Sequence, residues 1–148
     1  MKIQNLIELI NHKLADELLS PTQLINHMDS VIDDINTQLN STFPTFTEAM
    51  LAQGGLLANV DYTAIPDKYL RSVVVVGAAT KYYEIDEEGN PTAQTFAQDY
   101  RQQLFYMLRD YSFSIPEEYR ASNTQGVLSL NNADLNTPGL SLDTNLIF

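Results

Sequence analysis

Apolar residues recur at spacings of three and four along four stretches of this chain, and that period commits the polypeptide to helices before any other property is weighed. From Ile3 to Leu19 the stripe is Ile3, Leu6, Ile7, Ile10, Leu14 and Leu18. Ser20-Pro21 then supplies an N-cap followed by proline at the first helical position, where its missing N–H costs nothing. A second helix is predicted from there to about Leu39, burying Leu24, Ile25, Met28, Ile32, Ile35 and Leu39. Ile65-Pro66-Asp67 opens a third, with Leu70, Val73, Val74, Gly77, Ala78 and Tyr82 on one face and an end near Ile85. By β-propensity alone the run Val73 to Val76 favours a strand. The flanking Pro66-Asp67-Lys68-Tyr69 and the length up to Tyr83 decide for helix. Gly89-Asn90 closes that helix and Pro91 starts the fourth, where Phe96, Tyr100, Leu104, Met107, Leu108 and Tyr111 give the best periodic match in the chain.

Between the second and third helices, Asn40 to Ile65 carries Pro44, Gly54-Gly55 and several Ser and Thr residues, too long a span for a simple turn. Thr47 to Gln53 is expected as a short helical turn, Gly54-Gly55 as a flexible loop tip and Ala58 to Tyr62 as an extended piece. Ser114 to Tyr119 reads as a capped short helix. The expected fold is mainly α: a four-helix bundle, whose small residues Gly77-Ala78-Ala79 allow close helix approach, with an elaborated loop between helices 2 and 3 and an extended C-terminal arm. The bundle domain is expected over residues 1–120, with the insertion at about 40–65, and the arm over 121–148.

That last stretch, from Ala121 to Phe148, contains no Lys or Arg and only two acids, yet keeps spaced apolar side chains. Gly126 and Pro138-Gly139 interrupt it and no helical period runs through it. A solvated linker needs no leucines, so the segment reads as a partner-binding arm in which Val127, Leu128, Leu130, Leu135, Leu140, Leu142, Leu146, Ile147 and Phe148 make the contacts.

At 148 residues the chain fits one domain able to bury an ordinary core. It has no cysteine, which removes disulfides, thiolate nucleophiles and Cys-ligated zinc together. Eight basic against nineteen acidic residues give a formal charge of -11, so a phosphate backbone would be repelled rather than gripped. No apolar run approaches the roughly 20 residues that span a bilayer, and the N-terminus, Met1-Lys2-Ile3-Gln4-Asn5-Leu6, carries no export signal.

Catalytic and metal chemistry finds little support. His12 and His27 sit on the first two helices and would approach each other if those helices packed antiparallel, but no carboxylate stands at a helical spacing that completes a tight site with both. Asp86-Glu87-Glu88-Gly89-Asn90 has the start of a calcium loop without the distal Glu that an EF-hand requires, and reads as a solvated acidic turn. Gly54-Gly55 lacks the strand, helix and Lys-Ser/Thr of a phosphate cradle, and no serine stands in a Gly-x-Ser-x-Gly setting. No catalytic residue, metal or cofactor is expected. Seven tyrosines, Tyr69, Tyr82, Tyr83, Tyr100, Tyr106, Tyr111 and Tyr119, crowd the second half, where they divide between core and a partly wet interface.

The order of features carries a resemblance. A helix pair is joined by Leu19-Ser20-Pro21-Thr22-Gln23-Leu24-Ile25-Asn26-His27-Met28, and a variable insertion leads to Ile65-Pro66-Asp67-Lys68-Tyr69-Leu70. An alanine-rich helix then ends in Lys81-Tyr82-Tyr83-Glu84, and after the acidic turn come Phe96-Ala97-Gln98-Asp99-Tyr100 and Met107-Leu108-Arg109-Asp110-Tyr111. This resembles the head-to-tail connector, or adaptor, proteins of tailed bacteriophages over roughly Ile3 to Tyr111, through patterns of residue type rather than an invariant chemical signature.

The resemblance implies a virion structural protein of the neck, assembled in the host cytoplasm. Its subunits would form a ring, usually of about twelve copies, beneath the portal protein. A C-terminal extension would dock on the portal, and the 40–65 insertion would face tail or nozzle proteins or neighbouring subunits. DNA would pass through without specific binding during genome ejection. Elementary physics agrees with such a role, because acids lining a channel repel phosphates, spaced leucines on an arm fill successive pockets, and a ring needs two different faces on each subunit. Two other readings remain open at this level: an acidic DNA mimic that inhibits a host enzyme, and an enzyme built on His12 and His27.

Overall fold

The computed structural model describes residues 1–14, 19–85 and 91–121. The expected contacts of Leu18, the acidic turn Asp86 to Asn90 and the arm beyond Ala121 lie outside the described residues. Mainly helical, the described chain holds five helices and no strand beyond two isolated bridges. Helix α1 spans Ile3–Leu14, α2 Pro21–Leu39 and α3 Phe46–Gln53. The fourth, α4, is composite: α-helical over Asp67–Tyr69, π-helical over Leu70–Val74 and α-helical again over Val75–Ile85. Helix α5 spans Thr92–Tyr111. Contacts divide the chain into two units, one formed by Met1–Leu39 with Phe43–Ser114, the other by Asn40–Thr42 with the chain from Ile115 onward.

In the first unit α4 packs against α1, α2 and α5. The sequence period predicted one apolar face for it. Instead every residue from Val73 to Thr80 is buried, so this part of the helix is covered all round, as a helical stretch without a polar face must be. The π-helical turn admits an extra residue and places Leu70, Val73 and Val74 together in the core. Only one hydroxyl is drawn in with that run, and Thr80 satisfies it by donating to the Val76 carbonyl at 2.9 Å. Gly77 sets the spacing. A Cβ there would stand 2.7 Å from Tyr100 Cε1 on α5 and 2.7 Å from Val31 Cγ2 on α2, so both neighbours occupy the volume that any other side chain would claim.

Helix α2 begins and ends where local chemistry dictates. Ser20 and Gln23 form a reciprocal capping box, with Ser20 Oγ accepting from Gln23 N at 3.3 Å and Gln23 Oε1 accepting from Ser20 N at 3.1 Å. Just past its last residue, Asn40 takes φ 54°, the left-handed conformation that asparagine tolerates after a helix. All six expected positions, Leu24, Ile25, Met28, Ile32, Ile35 and Leu39, are buried, joined by Val31 and His27.

The insertion has more structure than a loop. Helix α3 is opened by a capping box between Thr45 and Glu48 and closed by Gly54, which at φ 59° donates its N–H to the Met50 carbonyl at 2.9 Å. Gly54-Gly55 is therefore a helix C-cap rather than a loose tip. Asp29 of α2 reaches across to accept from Phe46 N at 2.8 Å, adding a carboxylate where the helix dipole favours one. At the other end Gln53 donates to the Asp61 carbonyl at 2.6 Å and accepts from Asp61 N at 3.2 Å. The piece expected to be extended over Ala58 to Tyr62 is so only in its second half: Leu57–Asn59 is a 3-10 turn, after which Asp61 bridges antiparallel to Lys2 and Val60 accepts from Ile3 N at 3.0 Å.

In the second unit Ser41 bridges antiparallel to Arg120, Thr42 N donates to the Tyr119 carbonyl at 2.7 Å and Ala121 N to the Asn40 carbonyl at 3.3 Å. The expected helix over Ser114 to Tyr119 is reduced to a 3-10 turn at Glu117–Tyr119, preceded by Pro116.

Substituting Gly77→Ala should destabilise the fold by about 1–2 kcal/mol, since overpacking against a rigid ring and a β-branched side chain outweighs the roughly 1 kcal/mol that alanine contributes to a helix. Urea unfolding measures it, and a Gly77→Ala protein as stable as the parent contradicts the close approach.

Candidate interaction surfaces

The outer side of α5 is the first surface. Its inward residues Tyr100, Met107 and Tyr111 are buried, with Tyr111 stacked on Phe43 and tilted against Tyr69. Leu104 and Leu108, expected on the same buried stripe, are only partly covered. With Phe105, Arg101 and Gln38 of α2 they line an open, apolar groove of about 240 Å³. Phe105 is 57% exposed. Beside the groove Gln102 donates to Tyr106 at 2.9 Å, and the Arg109 guanidinium lies 5.0 Å from the Tyr106 ring centroid while pairing with Asp110. A wider, polar depression of about 520 Å³ lies along the same helix, lined by Thr95, Gln98, Asp99, Arg101 and Gln102.

The insertion presents the second surface. Of α3 only Phe46 is buried, its ring 4.4 Å from that of Tyr62, while Leu51 is 77% exposed and Leu56, just past the Gly54 cap, 76%. Hydrogen bonds at both ends hold this segment, so its leucines face solvent from a fixed scaffold. Glu48, Leu51 and Ala52 follow at the three- and four-residue spacing that puts side chains on one helical face, and all three are exposed.

The two surfaces stand on different sides of α2. Asp29, which caps α3, and Asn36, whose amide exchanges hydrogen bonds with the Phe43 backbone, mark one side. Asp34 and Gln38 mark another, since Asp34 accepts from Tyr100 at 2.6 Å and pairs with Lys81 at 2.9 Å, and Gln38 borders the α5 groove. At about 100° per residue, Asp34 and Gln38 lie about 140° and about 180° around the helix from Asp29.

The Asp34, Tyr100 and Lys81 cluster joins α2, α4 and α5. The Tyr100 phenol is pushed well above its ordinary range, first by burial and then by its hydrogen bond to Asp34 and the nearby carboxylates. A phenol that holds its proton so firmly is a poor acid, and the cluster is suited to latching helices.

His12 is exposed on α1, whereas His27 is buried on α2 with its ring edge-on to Tyr82. Among the described residues no group of three His, Cys, Asp or Glu side chains could hold a metal ion. Nor is any described helix long and apolar enough to cross a membrane. Of the seven tyrosines, Tyr69, Tyr82, Tyr100 and Tyr111 are core residues, while Tyr83, Tyr106 and Tyr119 are half-buried. The residues assigned to partner binding, Val127, Leu128, Leu130, Leu135, Leu140, Leu142, Leu146, Ile147 and Phe148, all lie outside the described residues. Sequence reasoning missed Leu51, Leu56, Phe105 and Arg101. Phe105 carried a signal, as a large apolar residue of α5 off its stripe beside Tyr106; Leu51 and Leu56 sit where no period exists to break.

Because the folded chain keeps the Tyr100 proton while the unfolded chain releases it above about pH 10, the stability linked to this group is complete below that pH and falls as pH rises past it. Tyr100→Phe should therefore lose less stability than the parent between about pH 9 and about pH 11 in urea unfolding. An unchanged pH dependence contradicts the assignment. No protein-family model, no curated protein and no solved structure matches this chain.

Proposed function

We propose that this chain is a structural head-to-tail adaptor of a tailed phage, a ring-forming subunit that sits beneath the portal and offers a surface to tail or nozzle proteins. In this reading α1, α2, α4 and α5 are the four-helix bundle, α3 is the elaboration of the insertion, and residues 121–148 are the arm that docks on the portal. The observation that carries it is an acid-rich helical body exposing large apolar side chains at separate places, among them Leu51 and Leu56 on the insertion, Phe105 on α5 and Phe113 just past it. A body of that kind is built to be covered by other proteins. The order of features resembling phage connectors narrows the class of assembly, and the formal charge of -11 suits a passage that DNA must traverse without adhering.

The disposition of the acids weighs against a DNA mimic. Asp29 caps a helix, while Asp34, Asp61 and Asp110 pair with the chain's own Lys81, Lys2 and Arg109, an arrangement spent on the fold rather than set out as a regular phosphate-like row.

Tagged protein in infected-cell lysate should retain portal protein, identified by mass spectrometry. Replacing Leu128 and Leu130 by Ala, or deleting from Gly126 onward, should abolish that capture with helical circular dichroism unchanged. Portal binding that survives both changes contradicts the arm's role, and capture of a host enzyme in place of portal and tail proteins favours the inhibitor.

A further inference from the structure

We infer that the insertion of one copy seats in the α5 groove of the next, with Leu51 and Leu56 covering Phe105, Leu104 and Leu108 and with Glu48 facing Arg101. The occupant is a second copy of this chain, and the contact is head-to-tail. This deepens the adaptor reading, on which it rests, by naming the two faces through which subunits join.

Three observations select a second copy. The first is chemical pairing. The groove is apolar with a guanidinium at its rim, since Arg101 and Phe105 stand one helical turn apart; the insertion is apolar with a carboxylate at its rim, since Glu48 and Leu51 share a face of α3. Arg101 makes no hydrogen bond or ion pair among the described residues, in a chain where nineteen acids compete for eight bases. Glu48 spends one oxygen on the Thr45 N–H and has no cationic partner among the described residues. Opposite charges flanking two apolar patches fix register as well as attraction.

The second is shape. The groove is concave and open, whereas Leu51 and Leu56 project from a short helix and its cap, about three-quarters exposed each. Hydrogen bonds to Asp29 from Phe46 N at one end and between Gln53 and Asp61 at the other already hold that segment, so little conformational freedom remains to be lost on docking.

The third is placement. Because the α3 side and the α5 side of α2 lie about 140° to about 180° apart, one subunit can use both at once, and each added copy leaves one free face of each kind. Two-fold pairing through a single self-complementary patch would leave one of the two surfaces bare.

The test uses the full chain with Leu51→Asp or Phe105→Asp, both at exposed positions, and reads association by sedimentation velocity at high micromolar concentration with circular dichroism as the folding control. The parent should associate, each variant alone should remain monomeric, and Arg101→Glu should weaken association about tenfold. Mixing the two variants should restore a dimer and nothing larger, because Leu51→Asp keeps a working groove and Phe105→Asp a working insertion, while the other face of each is closed. A parent that stays monomeric, a variant that assembles as the parent does, or a mixture that forms no dimer overturns the inference. So does loss of association on Leu128→Asp with Leu130→Asp but not on Leu51→Asp, which would make the chain's own C-terminal segment the occupant. Portal capture by the monomeric variants separates the two levels: parent association without portal binding removes the adaptor and keeps the contact, and portal binding without association does the reverse.

Discussion

Everything in the helical body depends on how closely three helices meet at Gly77. With Tyr100 of α5 and Val31 of α2 filling the space where a side chain would stand, α4 is drawn in until its middle, Val73 to Thr80, is covered on all sides. Dispersion and apolar burial then act at every residue from Val73 to Thr80, and backbone polarity is met within the helix itself. A stretch so enclosed displays no side chain to solvent. The exposed residues of α4, Asp67, Lys68, Arg71 and Glu84, stand before and after it.

Helix α2 is the wall the outer elements share. Its apolar residues face the core, and the polar residues between them anchor neighbours: Asp29 and Asn36 hold the insertion, Asp34 and Gln38 stand toward α5. Short polar side chains in a helix interior are poor for helix propensity. Here they are spent on tertiary anchoring, which explains why α2 tolerates so many of them. The Asp34 latch tightens α2, α4 and α5 at the same level where Gly77 brings them together.

Much of the helical framework was legible in sequence, because apolar period and caps act locally. Ser20-Pro21, the stripe from Leu24 to Leu39 and the start at Pro66-Asp67 each carry their own signal, and the structure follows them. The flanks of the valine run point to helix, and it is helix, though no local rule announced the π-helical turn at Leu70–Val74. The insertion was half legible. Thr45 and Glu48 spell a capping box, but the carboxylate that completes the N-terminus of α3 comes from Asp29, seventeen residues away from Phe46, and no local pattern links them. Leu104 and Leu108 show the limit most clearly: period puts them on the stripe with Tyr100 and Met107, yet they are only partly covered and line a groove, because period alone does not say how far a neighbouring element reaches over a face.

The short ladder joining Asn40–Thr42 to the chain at Tyr119–Ala121 has a geometric consequence. Two segments almost eighty residues apart in sequence are pinned side by side, so neither can shift along its own direction without breaking a bond to the other. The join is made by main-chain groups alone, and it therefore survives any exchange of side chain that leaves those N–H and carbonyl groups able to meet.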